Sequence, residues 1–148
     1  MYKADRNNLL HSYLDHDWDA VIDFACFNDH QARATAEYFH SVKRYIFIST
    51  ISVYDVGSDL REGNFDAGTY PLPAVQNELD YKEGKRRAEA FFLQHTPFPT
   101  VLVRFPVILG PDDYTRRLHF HIERVQRGQP CTSPTCGRGR DDPRPGRA

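Results

Sequence analysis

The sequence predicts an α/β protein in which helices cover a parallel sheet. Short apolar runs rich in β-branched and aromatic residues recur at 20–25, 45–49 and 99–105. Between them lie longer stretches whose apolar residues repeat at helical spacing. Caps or breakers mark the changeovers. Strands that alternate with helices in this way imply right-handed crossovers and therefore parallel pairing.

The elements follow in order. A helix centred on Leu9, Leu10 and Leu14 precedes the first strand. The run at 20–25, with Val21, Ile22 and Phe24, reads as a strand buried on both faces. Asn28 or Asp29 can cap the next helix, in which Ala32, Ala36 and Phe39 recur at i, i+4 and i+7. Lys43 and Arg44 lead into the second strand. The stretch 55–73 is rich in Gly, Asp and Pro, and is too long for a simple connector. Tyr81, Lys85, Ala88 and Phe92 share one stripe of the following helix, which Thr96 and Pro97 end. The third strand closes at Gly110 and Pro111. Leu118, Ile122 and Val125 mark a last helix, and Gly128 ends it.

The length of 148 residues suits one domain with a real core. A net charge of −1 points neither to nucleic acid nor to an anionic membrane. No apolar run approaches the ~18–20 residues needed to span a bilayer. Three cysteines (Cys26, Cys131 and Cys136) are an odd, sparse set that fits a reducing cytoplasm. Residues 131–148 contain no Val, Ile, Leu, Met or aromatic residue, and ten of the 18 are Pro, Gly or Arg. That tail is expected to be disordered, set apart from a domain at 1–130. Its amino acids are those that GC-rich codons encode, and the expectation is a frameshifted or out-of-frame extension.

Tyr81 and Lys85 are the most informative residues. Four apart on a helix, they lie on one face. A phenol titrates near ~10 in isolation, and an adjacent ammonium favours the phenolate. The pair can therefore act as an acid/base with its own tuner. The plainer reading is a surface helix whose tyrosine packs at the edge of the core. Ser49, Thr50 and Ser52 stand at a strand end, where ligands of open parallel sheets bind; equally, such hydroxyls tie down their own loop. Cys26 reads as a small buried hydrophobe. His119 and His121 would diverge on their helix, so with Cys131 and Cys136 they do not make a zinc site, and no metal is expected.

In order, these pieces resemble an extended short-chain dehydrogenase/reductase, of the NAD-dependent epimerase/dehydratase family. The resemblance covers roughly 1–130. Tyr45-Ile46-Phe47-Ile48-Ser49-Thr50-Ile51-Ser52-Val53-Tyr54 is similar to the family's strand bearing a catalytic hydroxyl, which falls on Thr50. Tyr81 and Lys85 match the family's Tyr-x-x-x-Lys. Val21-Ile22-Asp23-Phe24-Ala25-Cys26 resembles the strand whose end lines the dinucleotide, and this assigns Phe24, Ala25 and Cys26 to the cofactor. Arg104-Phe105-Pro106-Val107 resembles the strand and turn near the nicotinamide, which assigns Pro106. Asp5, after Ala4, resembles an element that approaches the adenine.

The resemblance implies a Rossmann-like sheet, NAD or NADP as cofactor, and Tyr81 exchanging a proton with a substrate hydroxyl or carbonyl. Lys85 would bind the nicotinamide ribose, and Thr50 would donate a hydrogen bond to the reacting oxygen. Substrates of such enzymes are commonly nucleotide sugars, and dimers commonly form through the tyrosine-bearing helix. The chain departs from the pattern in three places. It holds no Gly-x-x-Gly-x-x-Gly, so the phosphate-binding turn is missing. The Arg/Pro/Gly tail stands where the substrate region belongs. Val107 replaces an Asn common in relatives. The expectation is a central fragment with a partial sheet and weak or no activity. Its alternatives are a non-catalytic dinucleotide-responsive regulator or binding module of the same fold, and an inactive pseudogene product.

Overall fold

The chain has an α/β architecture around a three-stranded parallel sheet, in a computed structural model that describes residues 17–39, 41–73, 79–112 and 114–129. The described elements run β1 (Val21–Asp23), α1 (Asp29–Tyr38), β2 (Tyr45–Thr50), a 3-10 turn at Ile51–Val53, a second at Glu62–Asn64, α2 (Tyr81–His95), β3 (Thr100–Phe105) and α3 (Arg117–Gln126). The strands are ordered β1-β2-β3. Val21 lies opposite Tyr45 and Tyr45 opposite Thr100; at the other end Thr50 lies opposite Phe105. All three carboxyl ends therefore meet along one edge.

The chain divides into two compact units, Met1–Pro106 and Val107–Ala148. In the first, local chemistry sets the helix ends. Asn28, rather than Asp29, caps α1 by accepting from the Gln31 amide at 2.9 Å. Asp80 caps α2 in the same way through the Glu83 amide at 2.7 Å. Each cap satisfies an amide that helix geometry would otherwise leave without a partner. At the far end of α2 the Thr96 hydroxyl donates back to the Phe92 carbonyl at 2.6 Å.

The core forms where α1 and α2 lie on one face of the sheet. Tyr45, Phe47 and Ser49 of β2 point into it and are buried, while Ile46, Ile48 and Thr50 alternate with them and are only half-buried. The Tyr45 ring packs 4.8 Å from Phe92 and 5.2 Å from Phe98. Its hydroxyl donates to the buried Asp23 carboxylate at 2.5 Å. The expectation of a first strand over 20–25 buried on both faces is corrected here. β1 spans three residues, and Ile22 on the face opposite the two helices is 54% exposed. An unbroken apolar run shows that a segment is extended; it does not show that both faces are covered.

Residues 51–73 are fastened along α2. Arg86 Nε donates to the Val53 carbonyl at 2.6 Å, and Asp55 receives both Lys82 and Arg86, at 2.7 and 3.0 Å. Those two hydrogen bonds hold the exposed Asp55 carboxyl below the usual carboxylate range. Further along, Gln94 donates to the carbonyls of Ala67 and Tyr70 at 2.9 and 2.8 Å. Tyr70 donates to Glu83 at 2.7 Å. Burial first, and then the Glu83 hydrogen bond and charge, push the Tyr70 phenol up. A phenol raised above its unfolded value of about 10 stabilises the fold fully below that value, and the contribution is lost as pH rises through the folded value. Stability is therefore expected to fall at alkaline pH in the native chain, and less steeply in Tyr70→Phe. Identical alkaline limbs in chemical denaturation would refute the assignment.

In the second unit, α3 ends as its sequence predicts. Gly128 adopts φ +65°, with Gly128 N–H bonding to the Val125 carbonyl and Gln129 N–H to that of Arg124, at 3.0 and 2.8 Å. This is a Schellman closure, which favours glycine. The N-terminal helix around Leu9, the tail from Cys131 and the position Asp5 lie outside the described residues. Among those described, no helix is long and apolar enough to cross a membrane.

Candidate active site

The carboxyl edge of the sheet gathers most of the residues singled out by sequence. Thr50 ends β2, Pro106 follows β3, and Phe24, Ala25 and Cys26 follow β1. α2 begins at the same edge with Tyr81 as its first residue. The Tyr81 side chain is 54% exposed and its ring lies 6.4 Å from Phe27. Its hydroxyl makes no hydrogen bond among the described residues.

Lys85 lies one turn below and is only 2% exposed. Its ammonium donates to the Cys26 carbonyl at 2.7 Å and to the Ile48 carbonyl at 2.9 Å. It also stands over the Phe47 and Phe27 rings, at 4.7 and 5.0 Å from their centroids. The lysine thus ties the loop after β1 to β2, directly beneath the strand ends. Carbonyl oxygens and ring faces together make a pocket suited to a cation.

Gly84 makes that depth attainable, and sequence reasoning had passed over it. A Cβ at this position would lie 2.4 Å from the Phe27 carbonyl oxygen. The signal was present in the sequence: a glycine inside a helical pattern costs about 1 kcal/mol against alanine, and a packing constraint is a reason to carry it.

The other positions divide. Cys26 is wholly buried, and its thiol points to the Asn28 carbonyl at 3.5 Å. Ala25 is exposed and its amide donates to Asp23 at 2.9 Å. Phe24 is 68% exposed. Ser49 is buried on the helix-covered face, and its hydroxyl has no partner among the described residues. Thr50 lies on the opposite face. Its hydroxyl accepts from the Ser52 amide and donates to the Ser52 hydroxyl, both at 3.2 Å. From Gly84 to Phe92, α2 is buried or half-buried within one chain.

Whether these residues suit a nicotinamide dinucleotide can be judged from the charges at this edge. Its ribose and nicotinamide end would meet the hydroxyls of Thr50, Ser52 and Tyr81, with the Lys85 ammonium buried beneath them, which is fitting chemistry. The diphosphate end lacks a cradle among the described residues. Diphosphates favour open helix N-termini, but α1 begins with Asp29 under the Asn28 cap, and α2 begins under Asp80 with Glu83 in its first turn. Carboxylates there repel a second anion.

Comparison with protein-family models, with curated proteins and with solved structures finds no match.

Proposed function

We propose that this chain carries the proton-transfer part of an NAD- or NADP-dependent epimerase, dehydratase or reductase site, built on a Rossmann-like sheet. Its substrate would be a small hydroxyl or carbonyl compound, a nucleotide sugar being the leading class. The observation that carries this reading is that an exposed phenol and, one helical turn on, a buried ammonium share one face of α2, at the carboxyl edge of a parallel sheet. When bound, the cofactor supplies hydride transfer. Tyr81 would take or give the substrate's hydroxyl proton. Lys85 would hold positive charge beneath it, and the Thr50 side would supply a hydrogen bond to the reacting oxygen.

Lys85 also favours a second reading. Its two carbonyl bonds are a structural fastening, which a non-catalytic module of the same fold would need equally. Tyr81→Phe separates the two, because that hydroxyl supports nothing else described. Turnover of nucleotide sugars, followed through nicotinamide absorbance, is expected to fall about 10²–10⁴-fold, as for loss of a general acid/base. Stability should stay within about 0.5 kcal/mol, as for a surface change. Unchanged turnover in Tyr81→Phe would reject the catalytic reading. Calorimetric titration is expected to show only weak binding of NAD or NADP, because the diphosphate lacks a cradle among the described residues; tight stoichiometric binding would contradict that.

A further inference from the structure

A hydroxyl has one proton to give. The Thr50 proton is directed at the Ser52 oxygen, 3.2 Å away, while the Thr50 oxygen accepts the Ser52 amide. The Thr50 hydroxyl is thus turned back on its own chain. Ser52 is exposed, and its own proton has no acceptor among the described residues. It also sits in the 3-10 turn Ile51–Val53, which packs against α2. Arg86 holds the next residue there through the Val53 carbonyl at 2.6 Å, and Lys82, beside Tyr81, holds Asp55. The turn is therefore pinned to the helix that presents the phenol.

We infer that Ser52 is the hydroxyl that donates to the reacting oxygen, and that Thr50 is a positioning residue acting through it. This deepens, and rests on, the reading of Tyr81 as the proton-transfer residue. The chain runs from the Ser52 amide to the Thr50 oxygen, and from the Thr50 proton to the Ser52 oxygen. The Ser52 proton is then left for an acceptor from solvent or ligand, since Ser52 is exposed. A hydroxyl that accepts a hydrogen bond becomes a stronger donor, so Thr50 strengthens the bond that Ser52 makes. In this arrangement the substrate presents a carbonyl or alkoxide oxygen, an acceptor, to Ser52.

Titrating the 15N-labelled full chain with acetone, a bare carbonyl, reads this without turnover. Saturable shifts are expected at the amides of 50–53. Ser52→Ala is expected to weaken the affinity about fivefold, the worth of one net hydrogen bond of about 1 kcal/mol. Thr50→Val should weaken it comparably, the double variant no more than either single one, and Ser52→Thr should restore it. Unchanged affinity in Ser52→Ala, or no saturable shift in the native chain, overturns the assignment. Tyr81→Phe keeps the two readings apart. If it leaves acetone binding and turnover unchanged while Ser52→Ala loses binding, the role of Tyr81 fails and that of Ser52 stands. Loss in Tyr81→Phe but not in Ser52→Ala sinks the Ser52 assignment alone.

Discussion

Glu89→Ala is expected to destabilise the chain by about 3–5 kcal/mol, the cost of leaving a buried charge without its partner. Glu89 is completely buried in α2 and receives Arg104 of β3 through Nε at 3.1 Å and Nη2 at 2.7 Å. The rest of the guanidinium is also engaged. It donates to the Tyr54 hydroxyl at 2.8 Å and to the carbonyls of Glu62 and Phe65, each at 3.1 Å. Desolvation works against the charged guanidinium, yet the Glu89 and Tyr54 hydrogen bonds outweigh it and the Arg104 pKa is raised. Removing Glu89 therefore leaves a cation among groups that cannot neutralise it. Domains of this size are stable by only about 5–15 kcal/mol, so a large part of the folded margin is at stake.

The other buried pair supplies the control. Arg87 and Asp29 are each 2% exposed and share one bond of 3.0 Å, and Arg87 Nη2 also donates to the Pro73 carbonyl at 3.0 Å, but Arg87 Nε and Asp29 Oδ1 have no partner among the described residues. A pair so incompletely satisfied stabilises little relative to apolar groups of similar volume. Arg87→Ala alone should be strongly destabilising, whereas Arg87→Met with Asp29→Leu should recover most of that loss. The matching double change at Arg104 and Glu89 should not recover, because Tyr54, Glu62 and Phe65 all lose their donor, against the Pro73 carbonyl at the other pair. Urea denaturation of the four variants decides it. Equal recovery at both pairs would mean that hydrogen-bond completeness is not what separates them.

These pairs also mark where sequence reasoning ends. The runs at 45–49 and 99–105 became β2 and β3 with one-residue changes, because β-branched and aromatic residues carry their own local preference. Asn28, Thr96 and Gly128 end helices through chemistry confined to a few neighbouring residues. Nothing local announces that Arg104 will meet Glu89, or that Arg87 will meet a carboxylate 58 positions away. Charged residues on a helix read as a solvated face until tertiary structure brings a partner. The same holds within the candidate site. The spacing of Tyr81 and Lys85 was visible, but the carbonyls of Cys26 and Ile48 that receive Lys85 come from two other elements. Sequence shows that Ile22 lies in a strand and is silent on whether anything covers it.

Gly84→Ala is expected to destabilise by about 1–3 kcal/mol, the usual cost of overpacking, although alanine is the better helix former by about 1 kcal/mol. The atom in the way is backbone: the added Cβ would lie 2.4 Å from the Phe27 carbonyl oxygen. A side chain could turn aside, but this carbonyl lies one residue beyond the Cys26 carbonyl that binds Lys85 at 2.7 Å. The Asn28 cap that starts α1 follows immediately. Relief therefore requires the first turns of α2 to lift from the β1 loop, which stretches the Lys85 bonds and carries Tyr81 away from the strand ends. Two measurements distinguish this from a simple loss of stability. Hydrogen exchange should speed up selectively around 26–28 and 81–85, and any turnover should fall further than in a variant equally destabilised at the other end of the sheet, such as Phe98→Leu adjusted by denaturant. If Gly84→Ala instead stabilised the chain by its helix propensity, the close approach of α2 to this loop would not exist in solution. The foundation for placing Tyr81 and Lys85 at the strand ends would go with it.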